Sequence, residues 1–148
     1  IIGEVSLDKV VREAIHKYAR LFVRKKIRLE LSSIDTQVLT DEKWLEFVIE
    51  QILSNAIKYT AGGTISIYLK EEPEQETKEL IIEDTGIGIA PEDLPRIFEK
   101  GYTGYNGHAD KRSTGIGLYL CRKIMRKLSH EITIESESGV GTKVHLEM

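Results

Sequence analysis

Polar residues and glycines form three clusters in this 148-residue chain, about thirty residues apart. The first surrounds Asn55 on a predicted helix, the second is the turn at residues 84–88, and the third is the segment at residues 113–118. A carboxamide, a carboxylate and a glycine-rich helix start suit a metal ion, an amine and a phosphate respectively. Their order predicts a nucleotide-binding pocket made from a helix, a strand end and a second helix start.

The first cluster places polar side chains on adjoining positions of one helix, because residues three and four apart are neighbours on its surface. The Asn55 carboxamide oxygen suits Mg²⁺, which takes one or two protein oxygens together with waters and nucleotide phosphates. Lys58 is placed to meet a phosphate, and the other members of the cluster are Gln51 and Tyr59. The alternative is that Asn55 satisfies a buried backbone group and that Lys58 is an ordinary exposed residue.

The second cluster begins with Asp84 at the end of a predicted strand, followed by Gly86 and Gly88. A carboxylate only accepts hydrogen bonds, so Asp84 suits an exocyclic amine such as that of adenine. The glycines would let the backbone approach a ligand closely. An ordinary turn from strand to loop uses the same residue types and is the alternative.

The third cluster opens a predicted helix, whose first amides lack internal partners and attract anions. Its glycines would let phosphate oxygens reach those amides, although the segment is neither a Walker loop nor a full dinucleotide-binding fingerprint. A helix start shaped only for packing is the alternative. The residues concerned are Ser113, Thr114, Gly115, Ile116, Gly117 and Leu118.

The charge balance disfavours nucleic acid as a ligand, because binding to a phosphate backbone needs an excess of Lys and Arg. The chain has 24 acidic and 21 basic residues and a net charge of −3. The acidic residues at 71–79, around Pro73, predict a solvated hairpin loop in preference to a cation site. A length of 148 residues supports one hydrophobic core, so residues 1–148 are expected to form a single domain.

The single cysteine, Cys121, excludes an internal disulfide, fits a reducing compartment and lies in an apolar run that predicts core packing. No stretch approaches the roughly 18 apolar residues needed to span a bilayer. Because the chain starts at Ile1 without Met, we expect a cytoplasmic domain cut from a longer polypeptide. The histidines have no metal-ligand spacing and are predicted to be structural or exposed; they are His16, His108, His130 and His145.

Hydrophobic periodicity predicts an α/β (α+β) two-layer sandwich, with a mixed, largely antiparallel sheet of about five strands and three main helices on one face. The irregular stretch at residues 99–113 is expected to be a functional lid or disordered. Residues 37–39 are a candidate short partner for a strand at residues 27–31. The helices are expected at residues 6–25, 40–61 and 115–128, with a helical turn at 91–98, and the other strands at 64–69, 79–83, 132–136 and 142–146.

The combined motifs resemble the catalytic and ATP-binding domain of bacterial sensor histidine kinases. That domain belongs to an ATPase superfamily that includes gyrase, the ninety-kilodalton heat-shock chaperones and the MutL mismatch-repair proteins. The similarity covers nearly the whole chain and includes the N box, the F box and three glycine boxes of that family. The matching segments are QILSNAIKYT at 51–60, DTGIG at 84–88, Phe98, STGIGLYL at 113–120 and GVGT at 139–142.

This resemblance implies a Bergerat-type fold that binds Mg-ATP. Asn55 would ligate Mg²⁺, Asp84 would bind the adenine amine, and Thr142 would support that contact. Lys58 and Tyr59 would border the phosphates and the nucleoside. The γ-phosphoryl group would pass to a histidine on a dimerisation domain of the parent protein, which would be a homodimeric, membrane-anchored sensor that signals to a response regulator.

The resemblance also implies that residues 99–113 form an ATP lid. Its candidate phosphate partners are Lys100, Lys111 and Arg112. The segment EKGYTGYNG at 99–107 is similar to the intramembrane-sensing kinases of Gram-positive bacteria that respond to cell-wall antibiotics and antimicrobial peptides.

Two positions depart from the family pattern. Gln51 stands where the kinases often have Asn and the hydrolytic members have Glu, and a neutral amide cannot act as a general base for water. The adjacent Glu50 could bring an acid near through a shift in helix register or through local geometry. Gly101 replaces the usual second aromatic of the F box, with Tyr102 following.

These observations favour phosphoryl transfer, for which the catalytic candidates are Asn55, Lys58 and Gln51. The sequence has no His-Glu/Asp-x-x-x-Pro acceptor motif. Two alternatives stay open at this point. One is a hydrolytic ATPase of the same superfamily, and the other is a non-catalytic module that senses nucleotide.

Overall fold

The computed structural model describes residues 1–102 and 117–148, and it consists of two sheets and the helices packed on them. Short 3₁₀ turns lie at Pro73–Gln75 and Leu94–Arg96. In chain order the strands and helices are β1 Ile2–Ser6, α1 Leu7–Lys17, α2 Ala19–Arg24, β2 Arg28–Leu31, β3 Gln37–Asp41, α3 Glu42–Lys58, β4 Thr64–Glu72, β5 Thr77–Asp84, α4 Gly117–Lys127, β6 Glu131–Glu137 and β7 Gly141–Glu147.

The main sheet has five strands in the order β2-β4-β5-β7-β6. The β2–β4 pair is parallel, and the other three pairs are antiparallel. Alternate residues of these strands point to opposite faces, and the apolar set on one face joins the helices in a single core. The predicted two-layer sandwich with a mixed, largely antiparallel sheet is therefore confirmed.

Helix α3 is the central helix, and its sequence explains its position. The Asp41 side chain accepts the Trp44 backbone N–H (3.0 Å) and caps the N-terminus. Apolar residues recur every three or four positions, so one broad face of the helix is buried against the sheet and the neighbouring helices. The buried residues are Leu45, Val48, Ile49, Ile52, Leu53, Ala56 and Ile57.

The prediction of one continuous helix over residues 6–25 is wrong at Tyr18, which separates α1 from α2. The Tyr18 N–H bonds both Ala14 O (3.3 Å) and Ile15 O (3.1 Å), so the last turn of α1 tightens and the chain bends. The bend directs Phe22 into the core, with Tyr18 partly buried beside it. Packing across the domain thus outweighs the local helical preference.

The sequence suggested that β3 pairs with the strand after α2, but the structure shows a different partner. Strand β3 pairs antiparallel with β1, which was not predicted, to form a separate two-stranded sheet in which Val5 lies opposite Val38. Both valines are buried. Strand β2 instead pairs in parallel with β4, with Leu29 opposite Ile65.

The described histidines are structural or exposed, as predicted. His16 is exposed, the His145 ring contacts Glu79, and His130 Nε2 lies 2.9 Å from Thr40 Oγ1. His108 lies outside the described residues.

Three further predictions can be compared with the structure. Cys121 is fully buried, and burial raises the pKa of its thiol to about 12. The loop around Pro73 is exposed, as expected for a solvated hairpin. Across residues 1–102 and 117–148, no helix is both long enough and apolar enough to cross a membrane.

His130 should make the stability of the fold depend on pH. Burial lowers the pKa of this imidazole below 6.5, so below pH 6.5 the unfolded chain binds the proton more readily than the folded chain. The contribution of His130 to the stability of the fold is present above pH 6.5 and is lost as the pH falls from 6.5 toward the folded-state pKa. Urea unfolding at about pH 7.5 and about pH 5 should show that the free energy of unfolding falls as the pH is lowered. The fall should be smaller in His130→Gln. The exposed His16→Gln is the matched control, and an unchanged slope in His130→Gln would contradict the assignment.

Candidate functional site

A pocket opens between the helix layer and the inner face of the sheet, near the C-terminal ends of α3 and β5. Apolar side chains form most of its wall, and Asn55, Tyr59, Asp84 and Thr142 bring polar groups to it. The lining residues are Ile52, Asn55, Ala56, Tyr59, Asp84, Gly88, Ile89, Leu118, Ile134, Thr142 and Val144.

Asp84 is the last residue of β5 and is only 7% exposed. Its Oδ1 accepts the backbone N–H of Gly86 (2.9 Å) and that of Thr142 (3.3 Å). Burial raises the pKa of the Asp84 carboxyl, and these two hydrogen bonds oppose the rise. Because both of these hydrogen bonds go to Oδ1, Oδ2 can accept a hydrogen bond from a donor on a ligand.

The two glycines after Asp84 allow the turn to pack closely against its neighbours. A Cβ on Gly86 would lie 2.3 Å from Tyr59 O, so the space for a side chain is filled by the end of α3. Gly88 has a φ of +73°, and a Cβ there would lie 2.1 Å from Glu137 O. From the sequence, both glycines were expected to let the backbone approach a ligand closely. In the structure Gly88 lines the pocket, whereas Gly86 is required by contact with protein.

A hydroxyl pair links the loop after this turn to the last two strands. Ser136 Oγ accepts the Ile89 N–H (2.8 Å), lies 2.9 Å from Thr142 Oγ1 and is 2.8 Å from Gly141 O. Ser136 was not among the predicted site residues. The available signal was its position on β6, where a polar residue follows Ile132 and Ile134 on the inward-facing side.

Asn55 and Tyr59 face the pocket from one side of α3, since they are one turn apart. Tyr59 N–H bonds Asn55 O (3.1 Å), and Tyr59 O accepts the Ile87 N–H (3.1 Å), which ties the helix end to the turn after Asp84. Among residues 1–102 and 117–148 no backbone group bonds the Asn55 side chain, so its carboxamide is not a cap within that part of the chain. The Lys58 ammonium lies 5.2 Å from the centroid of the Tyr59 ring, and Lys58 is not among the lining residues.

Gln51 and Glu50 lie outside the pocket lining. Gln51 Oε1 is 3.0 Å from the position of a Cβ on Gly117, so its amide packs at the start of α4. Glu50 Oε2 pairs with Lys17 Nζ of α1 at 3.1 Å, and this hydrogen bond raises the pKa of Lys17. The acid next to Gln51 is therefore directed toward α1, away from the pocket.

Phe98, the predicted F-box aromatic, packs partly buried against the core. The guanidinium carbon of Arg122 on α4 lies 5.0 Å from the centroid of its ring, which is a cation–π contact. The Lys100 ammonium lies 5.9 Å from the centroid of the Tyr119 ring, also on α4. These contacts hold the start of the predicted lid beside α4.

Tyr102 supplies an aromatic side chain one position after Gly101. Its hydroxyl donates to Asp93, and its ring lies 4.5 Å from the guanidinium carbon of Arg96. Several predicted residues lie outside the described chain, namely Lys111, Arg112, Ser113, Thr114, Gly115 and Ile116, together with the rest of the lid beyond Tyr102.

The arrangement suits a flat, largely apolar ring that carries an amine. The Asp84 carboxylate can accept a hydrogen bond from such an amine, and the apolar lining can cover the faces of the ring. Asn55 offers one neutral oxygen nearby, and the described residues contain no group of three or more His, Cys, Asp or Glu that would hold a metal by itself. Such a donor set fits Mg²⁺, which would take its remaining ligands from phosphates and waters.

Comparison with known proteins agrees with this geometry. Residues 40–148 match the family described as histidine kinase-, DNA gyrase B-, and HSP90-like ATPase. The sensor histidine kinase YxdK of Bacillus subtilis strain 168 is 38% identical over 144 residues, which are 97% of this chain and 44% of that protein. The sensor protein BceS of the same strain is 39% identical over 138 residues, which are 93% of this chain and 41% of that protein. The chain thus spans less than half the length of these relatives.

The fold has close counterparts among solved structures. The catalytic domain of the histidine kinase ThkA superposes with a TM-score of 0.84 at 23% sequence identity, and the match covers 100% of this chain and 95% of that one. The predicted Bergerat-type architecture is therefore confirmed at the level of the fold.

Proposed function

The chain belongs to the family of histidine kinase-, DNA gyrase B- and HSP90-like ATPases, and from this premise we propose that it is an ATP-dependent protein-histidine kinase domain. It binds Mg-ATP and transfers the γ-phosphoryl group to a histidine on a dimerisation domain outside this sequence. The observation that supports this most directly is the buried Asp84 carboxylate, with one oxygen bonded to two amides, in a pocket that Asn55 also lines.

The adenine amine donates to Asp84, and the Thr142 amide keeps the carboxylate in place. Apolar residues such as Ile52 and Val144 cover the purine, and Tyr59 borders the nucleoside. Because the site accepts an amine at Asp84, it discriminates against guanine, which presents a carbonyl at the equivalent ring position.

The triphosphate lies toward Asn55 and the start of α4. Asn55 contributes an oxygen ligand to Mg²⁺, and Lys58 together with the amides at residues 113–118 neutralises phosphate charge. The metal supplies charge neutralisation on the phosphates when it is bound. Lys100, Lys111 and Arg112 are further candidates for contacts to phosphate.

Transfer is favoured over hydrolysis because neither Gln51 nor the adjacent Glu50 is placed as a general base for water in the described pocket. Gln51 is neutral and packs near Gly117, and Glu50 is paired with Lys17. Phosphoryl transfer requires mainly positioning and charge neutralisation, so a domain without its own nucleophile can act as the catalytic half.

The similarity to named sensor kinases supports a proposal about the parent protein and its setting in the cell. The domain would act in the cytoplasm as part of a membrane-anchored, homodimeric sensor that signals to a response regulator. The similarity to YxdK and BceS supports membership in the same subfamily. The segment at residues 99–107 adds the proposal that the parent protein is an intramembrane-sensing kinase that responds to cell-wall antibiotics and antimicrobial peptides.

The function is tested by supplying the chain with labelled Mg-ATP and the histidine-bearing dimerisation domain of its parent protein. We expect the acceptor domain to become labelled, and the chain alone to bind ATP without labelling itself. Glu50→Gln should leave label transfer and background ATP turnover unchanged, because Glu50 is paired with Lys17 outside the pocket.

Each contrary result points to a specific alternative. ATP binding without transfer to the acceptor would indicate a nucleotide-sensing module. Rapid hydrolysis by the chain alone that is lost in Glu50→Gln would indicate a hydrolytic ATPase.

Asp84→Asn should abolish most of the affinity for adenine nucleotides, because an amide nitrogen would replace Oδ2 and face the ligand amine. Loss of a hydrogen bond to a charged group corresponds to about 10- to 150-fold weaker binding. Calorimetric titration with a non-hydrolysable ATP analogue measures this loss of affinity. Glu83→Gln is the matched control, since Glu83 bonds Tyr68 on the opposite face of the sheet.

The same variant should keep its fold. The folded-state pKa of Asp84 is raised, so its contribution to stability is greatest below pH 3.8 and is lost as the pH rises through the folded-state value. A neutral amide avoids this loss, and the ligand-free variant should melt at or above the temperature of the unmodified chain at pH 7. Unchanged nucleotide affinity in a folded Asp84→Asn chain would refute the adenine contact.

Asn55→Ala should remove the dependence of nucleotide affinity on magnesium. The ratio of affinities measured with and without Mg²⁺ should fall to about one, because the variant lacks the protein oxygen for the metal. Phosphoryl transfer to the acceptor domain should be lost as well. Ser54→Ala is the neighbouring control, and a persistent magnesium effect in Asn55→Ala would assign the metal to other residues.

A further inference from the structure

We propose that Lys25 is a positioning residue of the nucleotide site, acting through the C-terminal end of α3. The inference rests on the proposed function. Lys25 follows α2 in the chain and does not line the pocket. Its side chain and its backbone nevertheless hold the two ends of the segment at residues 57–62, and the middle of that segment forms part of the pocket wall.

The Lys25 side chain caps the end of α3. Its ammonium donates to Ile57 O and to Lys58 O, the latter at 2.9 Å. The last carbonyls of a helix lack partners within the helix and bear partial negative charge, so a cation there satisfies them and complements the helix dipole. This contact joins residues 32 and 33 positions apart in the sequence.

The Lys25 backbone holds the other end of the segment. Lys25 O accepts the Gly62 N–H at 3.0 Å, and Gly62 has a φ of +66°. Arg28 N–H then bonds Gly63 O at 2.8 Å, which continues into the parallel pairing of β2 with β4. One residue therefore anchors the chain both before and after residues 59–61.

The anchored segment contacts the turn that contains the adenine-binding candidate. Tyr59 lines the pocket, and Tyr59 O accepts the Ile87 N–H at 3.1 Å. Gly86 packs against the same carbonyl, and its N–H bonds Asp84 Oδ1 at 2.9 Å. A displacement of the α3 end would therefore reach Asp84 through two successive contacts.

The buried side chain of Ile57 also anchors the segment, but the hydroxyl of Thr60 does not. Thr60 is fully buried, and in the described structure its hydroxyl has no hydrogen-bond partner. Lys25 itself is partly buried, and this desolvation lowers the pKa of its ammonium. The position is thus unfavourable for a lysine unless the two carbonyls compensate it.

The test uses Lys25→Met, which keeps the length of the side chain and removes its charge and donors. The exposed neighbour Lys26→Met is the matched control. Each chain is titrated with a non-hydrolysable ATP analogue at about 15 °C. We expect Lys25→Met to bind about tenfold more weakly than the unmodified 148-residue chain, and the control to bind equally well. Lys25→Arg, which keeps a cation with several donors, should restore most of the affinity.

Amide hydrogen exchange separates positioning from general stability. Lys25→Met should speed exchange at the Ile87 N–H by about tenfold, because its acceptor Tyr59 O becomes mobile, and should leave the Lys78 N–H unchanged. A lower melting temperature with unchanged nucleotide affinity and unchanged Ile87 exchange would overturn the proposal.

Two further outcomes are distinguishable. If the unmodified chain fails to bind the analogue, the proposed function fails; if it binds and Lys25→Met binds equally well, only the role of Lys25 fails. Should Lys25→Met not fold, Lys25→Gln takes its place in both measurements. Failure of both variants to fold would assign Lys25 to overall stability and would overturn the positioning role.

Discussion

The candidate site depends on keeping a carboxylate in a buried position where an amine can reach it. Burial disfavours the charged form of Asp84, and the amides of Gly86 and Thr142 offset part of that penalty. One amide comes from the turn after β5 and the other from β7, so the register that places Asp84 opposite Thr142 is part of the site. The residual penalty is the kind of local instability that proteins accept at functional positions.

Helix α3 supplies both packing and chemistry because apolar and polar residues alternate on the face that meets the pocket. Ile52 and Ala56 are buried and line the pocket, while Asn55 and Tyr59 bring polar groups to the same opening. The end of the helix is then fixed through main-chain bonds to the turn after Asp84. Rigid elements hold such groups more accurately than loops do, which suits a reaction that relies on positioning.

Local patterns were sufficient to predict much of this architecture. Alternation at residues 64–69 and 79–83 predicted the β4–β5 hairpin, and the glycine motifs identified the neighbourhood of Asp84 and Thr142. The hydrogen-bond partners of Ser136 and Lys25 were not predictable, because Ile89 and Ile57 lie 47 and 32 residues away in the sequence. The break at Tyr18 was missed because tertiary packing, and no Gly or Pro, causes it.

The place of β7 in the sheet has a consequence for synthesis of the protein. Strand β7 follows β6 in the chain yet lies between β5 and β6, and Thr142 belongs to it. While the ribosome is still adding residues 131–137, β6 has no neighbour to join and the edge of β5 is bare. The candidate pocket therefore lacks the Thr142 amide that holds Asp84 until β7 has emerged from the exit tunnel and joined the sheet.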